Sequence, residues 1–224
     1  MTDGMIQSAL QSALHGMIHG MDISSMDEVV KCGGKFYDGG QEKGLLEILK
    51  SYGVNYVRLR LWLEPCSGDG KPYGAGGKDL EVTVKLAKQV KEAGLRYLLD
   101  FQYSDFWADP GKQIKPKAWK DYGGKELETA VYAYTRDTLL TLKGHGCLPD
   151  MVQVRNEITN GLLWPEGKKP AYDHIVRFVN AGIRGVREVE KSIPVMLHLD
   201  HGNDQEMYKD WFENYLKRGG EDFE

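Results

Sequence analysis

Five short apolar segments recur along the chain, and helical patterns lie between them. The apolar segments span residues 17–23, 54–61, 95–101, 151–154 and 194–199, and the helical patterns span residues 41–52, 79–93, 127–143, 172–189 and 204–217. Short runs rich in Val, Leu, Ile and aromatic residues are typical of buried strands in a parallel sheet. Gly53, Gly94, Gly144 and Gly219 follow helical patterns, where a left-handed cap is expected. This alternation predicts an α/β fold with a parallel sheet.

Loop lengths favour a barrel over a doubly wound sheet. The longest connections, residues 64–78 and 104–124, follow predicted strands, whereas the links after helices are short. In parallel barrels the loops that follow the strands build the active site. A doubly wound sheet remains the alternative, although no glycine-rich phosphate loop follows the first strand.

The number of repeats predicts part of a larger barrel. Strand starts recur about every 40 residues, so eight units need roughly 300 residues. The 224-residue chain holds five units, and residues 222–224 would open a sixth strand. We therefore predict an extension over residues 1–15, followed by the N-terminal part of a barrel over residues 16–224. A complete but open sheet is the rival interpretation.

Composition narrows the classes of partner. A net charge of −4 gives no support to nucleic-acid binding, which favours a basic face. Three cysteines without a CxxC pair argue against a disulfide framework or a structural zinc site. No apolar run reaches the roughly 20 residues that cross a bilayer, and the N-terminus lacks the features of a secretory signal. We predict neither nucleic-acid nor membrane partners and leave the localisation open.

The fourth predicted strand ends on a polar pair, Asn156 and Glu157, with Trp164 close behind. Glycoside hydrolysis needs a carboxylic acid that protonates the leaving oxygen, and burial keeps such an acid protonated. An amide can hydrogen-bond a sugar hydroxyl, and an indole ring can stack on a sugar. The alternative is that the pair only caps the following turn.

Polar residues also share one face of the second predicted strand. With a period of two, Arg58, Arg60 and Trp62 point to the same side. Because buried arginines need partners, we expect Arg58 to join a structural Arg–Asp network and Arg60, nearer the mouth, to orient a catalytic carboxylate. Asp22, at the end of the first strand, is the expected structural partner of an arginine.

The third strand and its loop supply further candidates. Asp100 and Gln102 point inward together, and Tyr103, Phe106 and Trp107 form either a sugar platform or a core cluster. Asp105 and Asp109 lack the spacing of a cation loop. After the fifth strand, His198 and His201 lack zinc-motif spacing, so we expect His198 to form hydrogen bonds near the cleft.

Several of these segments together resemble glycoside hydrolase family 53, the arabinogalactan endo-β-1,4-galactanases. The matching segments are Met21-Asp-Ile-Ser-Ser25, Lys35-Phe-Tyr-Asp38, Gly53-Val-Asn-Tyr-Val-Arg-Leu-Arg60, Tyr103-Ser-Asp-Phe-Trp-Ala-Asp-Pro-Gly-Lys112, Lys117-Ala-Trp119, Pro149-Asp-Met-Val-Gln-Val154, Asn156-Glu157 and Leu163-Trp-Pro-Glu-Gly167. The resemblance runs from about residue 16 to the last residue.

The resemblance implies a (β/α)8 TIM barrel of the large glycosidase clan, truncated here to about five βα units, and retaining endo-hydrolysis of β-1,4-galactan or arabinogalactan. It implies that Glu157 is the general acid/base, that Arg60 supports the nucleophile, and that the nucleophilic Glu lies beyond residue 224. It implies no cofactor or metal among these residues, and the family is usually secreted. The predicted substrate-binding residues are Asn156, Arg60, Trp62, Gln102, Asp105, Trp107, Trp164 and His198.

Three departures from the family pattern bear on activity. Gln102 stands where the family usually has His, Arg155 stands where it usually has Gly, and the segment from His198 to Asp204 differs from the family's His-Leu-Ala-Asn-Gly-Gly-Asp. A cation at position 155 would either depress the pKa of Glu157 or fill the strand flank. The alternatives are therefore a carbohydrate-binding pseudo-enzyme or inactive fragment, and a related barrel glycosidase that acts on another β-1,4-glycan.

Overall fold

The structure is a computed structural model that describes residues 17–67, 71, 73 and 77–224. Its strands are β1 (Gly20–Asp22), β2 (Phe36–Asp38), β3 (Gln41–Lys43), β4 (Tyr56–Leu61), β5 (Arg96–Phe101), β6 (Met151–Val154), β7 (Gly161–Leu162), β8 (Gly167–Lys168) and β9 (Val195–Met196). Its helices are α1 (Met26–Lys31), α2 (Leu45–Ser51), α3 (Leu80–Glu92), α4 (Gly124–Gly144), α5 (Tyr172–Val189) and α6 (Gln205–Lys217). The proposed extension over residues 1–15 lies outside the described residues.

Five strands form one parallel sheet in the order β1-β4-β5-β6-β9. Sequential strands are neighbours, and a helix lies between each strand of this sheet and the next. Beyond β9, the backbone N–H of Glu224 donates to the carbonyl oxygen of Val195 at 2.8 Å, so the segment that we predicted to open a sixth strand runs beside the sheet edge. The prediction of a barrel truncated to about five βα units is confirmed.

The two faces of the sheet differ in chemistry because side chains alternate along each strand. One face is apolar and fully buried; its residues include Val57, Leu59, Leu61, Leu99, Phe101, Val152 and Val154. On the other face, Arg60 of β4 pairs in register with Asp100 of β5, which in turn pairs with Gln153 of β6. The polar residues of β4, β5 and β6 therefore lie side by side on one face.

Helix ends follow the sequence signals with one exception. Asp79 and Asp204 cap α3 and α6 by accepting hydrogen bonds from backbone N–H groups in the first turn. Gly53, Gly94 and Gly219 adopt positive φ angles as expected for left-handed caps. Gly144 is instead the last residue of α4, and the left-handed position after that helix is Gly146.

Two predictions about elements need correction, and one helix was missed. Residues 41–43 do not begin a helix; they pair with β2 around Gly39 and Gly40, which both have positive φ angles, as tight hairpin turns require. Helix α1 was not predicted. Strand β1 is exposed rather than buried, because it lies at the edge of the sheet.

Candidate active site at the carboxyl ends of the strands

An unusual turn carries Glu157 away from the end of β6. Arg155 has φ 70° and Glu157 has φ 52°, ψ 53°, and a short 3₁₀ helix (Ile158–Asn160) follows. Left-handed conformations cost an L-residue about 1–2 kcal/mol, so neighbouring contacts must hold them. The side-chain amide of Gln113 supplies such contacts by donating to the carbonyl oxygens of Asn156 (2.8 Å) and Glu157 (3.1 Å).

The side chain of Glu157 is half-buried, and no described residue donates a hydrogen bond to its carboxylate. Burial raises its pKa, and the negative charges of Asp200 and Asp109 raise it further. The positive charge of Arg58 acts in the opposite direction. A raised pKa with a free carboxyl group is the state that a general acid needs.

Asn156 is fixed in place by its neighbours. Its Oδ1 accepts hydrogen bonds from Arg58 Nη2 (2.8 Å), His198 Nδ1 (2.7 Å) and Gln153 Nε2 (3.3 Å), and its Nδ2 donates to the carbonyl oxygen of Ala108 (2.8 Å). These contacts define the orientation of the amide. The second N–H of Nδ2 has no acceptor among the described residues.

His198 donates a hydrogen bond to Asn156. Burial and the nearby charge of Arg58 lower its pKa. Because Asn156 Oδ1 is an acceptor, the Nδ1 of the neutral imidazole carries the proton. The hydrogen bond that we predicted for His198 near the cleft is therefore made to Asn156, and a role of His198 in substrate binding stays a prediction.

The two arginines of β4 make their shortest ion pairs with different carboxylates, although Arg58 Nη1 also lies 3.5 Å from Asp22 Oδ2. Arg58 Nη2 lies 2.6 Å from Asp100 Oδ2 in the floor of the site, whereas Arg60 Nη2 lies 2.7 Å from Asp22 Oδ2 nearer the mouth. The guanidinium of Arg60 also lies 4.3 Å from the ring centre of Trp107. Asp22 is therefore the arginine partner that the sequence indicated.

Gln102 and Trp62, which we predicted to bind substrate, are buried in the described structure. Gln102 Nε2 donates to Asp100, and its Oε1 accepts from the backbone N–H of Ala108 at 3.1 Å. Trp62 packs against Phe106 and Trp107, each with a ring-centre distance of 5.5 Å. In this arrangement both side chains support the site from below and do not line its surface.

The loop after β5 is braced by Asp105. One carboxylate oxygen accepts from the backbone N–H of Glu64 (3.0 Å) and the other from that of Lys117 (2.8 Å). Both carboxylate oxygens of Asp105 thus already accept hydrogen bonds from the backbone, which gives Asp105 a structural role. Substrate binding by Asp105 stays a prediction. Tyr103 is buried, whereas Phe106 and Trp107 are half-buried.

Trp164 lies in the loop that follows Glu157 and is half-buried. Its Nε1 donates to the carbonyl oxygen of Asn160 at 3.1 Å, and Lys168 Nζ lies 4.4 Å from its ring centre. Its backbone N–H donates to the carbonyl oxygen of Gln113 at 2.7 Å. Gln113 thus ties the segments of Trp164 and Glu157 to the loop after β5.

Arg155 fills the strand flank. Its side chain is fully buried, its Nε donates to Gln113 Oε1 at 2.7 Å, and its Nη1 donates to the carbonyl oxygen of Gln102. Burial lowers the pKa of Arg155 to about 9. The sequence left two possibilities for a cation at position 155, depressing the pKa of Glu157 or filling the strand flank. In the structure the side chain of Arg155 is packed into the strand flank beneath the loop.

Sequence reasoning missed three residues of the site. Gln113 joins the loops, Asp200 raises the pKa of Glu157, and Lys78 is buried with its Nζ 4.7 Å from the ring centres of both Trp62 and Trp107. For Asp200 a signal existed, because the segment after His198 departs from the family pattern. Gln113 and Lys78 belong to no pattern in the sequence that points to a site.

Comparison with known proteins agrees with these features. The profile of glycosyl hydrolase family 53 matches residues 18–224. A Niallia circulans protein described as an uncharacterized protein in the bgaB 5′ region is 44% identical over 90% of this chain and 55% of its own length. A probable arabinogalactan endo-β-1,4-galactanase A of Neosartorya fischeri is 38% identical over 88% of this chain and 54% of its own length.

A solved structure described as the Ignisphaera aggregans GH53 catalytic domain superposes with a TM-score of 0.88. It is 42% identical and is matched over 92% of this chain and 57% of that one. The chain spans about half the length of the curated relatives that it matches. None of the helices in the described residues is long and apolar enough to cross a bilayer. Because the family profile matches nearly the whole length of this chain, the chain belongs to glycosyl hydrolase family 53.

Proposed function

We propose that the protein to which this chain belongs hydrolyses internal β-1,4-galactosidic bonds of galactan or arabinogalactan, with retention of configuration and with Glu157 as the general acid/base. Family membership and relatives named as galactanases support the substrate class. The single observation that carries the role of Glu157 is its free, half-buried carboxyl group at the mouth of β6, with a raised pKa.

In the first step, the protonated carboxyl group of Glu157 gives its proton to the leaving glycosidic oxygen while a second carboxylate attacks the anomeric carbon. Glu157, now ionised, takes a proton from water in the second step, and that water breaks the glycosyl–enzyme bond. The resemblance assigns the attacking carboxylate to a Glu beyond residue 224.

The neighbours of Glu157 suit these steps. Burial and the charges of Asp200 and Asp109 favour its protonated form before the first step. Asn156 offers one N–H to a sugar hydroxyl from an orientation fixed by four hydrogen bonds. Arg60, which is paired with Asp22, is the cation that we assign to stabilising the attacking carboxylate.

Glu157→Gln tests the proton donor with two substrates. On galactan, the variant should lose about 10²–10⁴-fold in rate, because the galactosyl leaving group needs a proton. On an aryl β-galactobioside with a dinitrophenolate leaving group, formation of the glycosyl–enzyme should be almost unchanged, because that leaving group departs without protonation. Pre-steady-state release of dinitrophenol measures this step directly.

Glu206→Gln, an exposed change in the first turn of α6, is the matched control and should leave both rates unchanged. Equal losses on both substrates would assign Glu157 a role other than proton transfer. A wild-type protein that binds galacto-oligosaccharides without releasing reducing ends would support the carbohydrate-binding alternative. Faster hydrolysis of mannan or glucan than of galactan would correct the substrate.

A further inference from the structure

A cavity of about 410 Å³ lies beside the candidate active site, under the loop that follows β5. Its volume is within the range of about 300–1,000 Å³ that is usual for small-molecule sites. Aromatic rings and lysines line it, including Tyr73, Phe106, Trp107, Lys112 and Lys117. None of these lysines takes part in the chemistry proposed above.

The cavity concentrates positive charge on a protein whose net charge is −4. Lys112 Nζ lies 4.8 Å from the ring centre of Phe106, and Lys117 Nζ lies 5.8 Å from that of Tyr73. Among the described residues, no carboxylate lies within 4 Å of either ammonium group. Lys115, in contrast, is paired with Glu166 at 2.9 Å and is already neutralised.

The acidic residue in the cavity lining, Asp105, does not offset this charge by contact. Both oxygens of Asp105 accept backbone hydrogen bonds, and the residue is buried. Lys117 Nζ donates one hydrogen bond to the carbonyl oxygen of Cys66 at 2.6 Å and has two further N–H groups. Within the described ranges, the cavity thus offers two ammonium groups without an ionic partner.

Flat rings accompany these cations. Phe106 packs edge-on to Tyr73 at 5.5 Å and to Trp107 at 6.5 Å, so their faces point in different directions around the cavity. Aromatic rings of this kind contact the C–H groups of a pyranose, here with the parts of the rings that Arg60, Lys78 and Lys112 leave open to the cavity. A ligand that satisfies both features has a sugar ring and a negative charge.

The cavity is also coupled to the candidate active site. Trp107 lines the cavity and at the same time lies 4.3 Å from Arg60, which is paired with Asp22 at the mouth of the sheet. Gln113, from the same loop, is bonded to the backbone of Glu157. The cavity and the mouth of the sheet therefore share the side chain of Trp107.

We infer that this cavity is a second sugar-binding site, and that it takes a carboxylated sugar, a uronic acid residue, whose carboxylate is bound by Lys112 and Lys117 and whose ring lies against Trp107 and Phe106. The site goes beyond the proposed hydrolysis of neutral galactan. It would direct the protein to polysaccharides in which galactan is attached to acidic sugars.

The test uses trigalacturonate and its carboxyl-reduced form, which differ only in charge and in the oxidation state of one carbon per ring. Isothermal titration should give saturable binding of trigalacturonate and about tenfold weaker binding of the reduced trisaccharide, since two partly exposed ion pairs are worth about 0.7 kcal/mol each. The double variant K112M/K117M should bind both trisaccharides equally. Lys120→Met, an exposed change that does not line the cavity, is the control and should bind like the wild type.

Chemical-shift mapping supplies a readout that does not depend on the variants. Trigalacturonate should perturb the indole N–H signal of Trp107 and leave that of Trp164 unchanged. Absence of saturable binding, equal affinity for the two trisaccharides, or an unchanged preference in K112M/K117M would each overturn the inference. Galactan hydrolysis, measured in parallel, distinguishes this failure from failure of the proposed function, because a rate that persists without uronate binding refutes the second site alone.

Discussion

Replacement of Arg155 tests whether this cation supports the turn that presents Glu157. Arg155 is fully buried with φ 70°, and its guanidinium donates to Gln113 Oε1 and to the carbonyl oxygen of Gln102. Arg155→Ala removes the guanidinium and keeps a Cβ atom in the left-handed conformation. Arg155→Gly removes the same guanidinium and also relieves the backbone.

The two changes have a predictable order. Hydrogen bonds to a charged group are worth about 1.5–3 kcal/mol each. Removal of the guanidinium also removes the desolvation penalty of a buried charge, which offsets part of the loss. Arg155→Ala should therefore lower the free energy of unfolding by about 2–4 kcal/mol. The left-handed conformation costs an L-residue about 1–2 kcal/mol, against about 0.5–1 kcal/mol for the extra entropy of unfolded glycine. Arg155→Gly should therefore be more stable than Arg155→Ala by about 0.5–1 kcal/mol.

Equilibrium unfolding in urea measures both values. The control is the same pair of changes at Lys88, an exposed position of α3, where glycine should be less stable than alanine by about 1 kcal/mol. The reasoning fails if alanine is the more stable residue at both positions. It also fails if neither change at Arg155 lowers the free energy of unfolding.

Three further outcomes are expected. Asp200→Asn removes a charge that raises the pKa of Glu157, so the alkaline limb of the kcat/KM profile on galactan should move to lower pH; an unmoved limb would contradict this. Asp105→Ala removes the acceptor of two backbone N–H groups and should cost about 2–4 kcal/mol in urea unfolding, where a loss below about 1 kcal/mol would refute the bracing role. Burial lowers the pKa of Lys78 from its ordinary value to about 8, so the folded state loses its proton before the unfolded state does. Stability should therefore rise with pH above about 8 in the wild type, and Lys78→Met should rise less over the same interval.

The parallel sheet could be predicted from sequence because its strands are short, apolar and separated by amphipathic helices. Val57, Leu59 and Leu61 have the alternation that a buried face requires, and all three are buried. The hairpin of β2 and β3 was missed, because residues 41–43 precede a helix directly and the helical pattern absorbed them. The turn at Gly39 and Gly40 was the available signal.

At the candidate site, strand position was predictable and loop burial was not. Period-two alternation placed Arg58 and Arg60 on the polar face, where both form ion pairs with carboxylates. The same alternation placed Gln102 inward. Only the folded loop shows that the backbone N–H of Ala108 donates to the side chain of Gln102. Trp62 is buried for a comparable reason, since Phe106 and Trp107 pack onto it from a later part of the chain.

Long-range electrostatics lay beyond the sequence. Asp200 and Asp109 belong to different loops, yet both raise the pKa of Glu157. Such a convergence depends on the spatial arrangement of loops that are far apart along the chain.

The protonation of Glu157 is the most direct test of the account. The carboxyl carbon of Glu157 can be titrated by ¹³C NMR, with the signal assigned by its loss in Glu157→Gln. Exposed Glu213, whose pKa is lowered by its hydrogen bond to Lys217, serves as the internal reference. We predict that Glu157 titrates above the ordinary glutamate value of 4.5 and that Glu213 titrates below it. A Glu157 that titrates at or below the ordinary value would contradict its role as the proton donor.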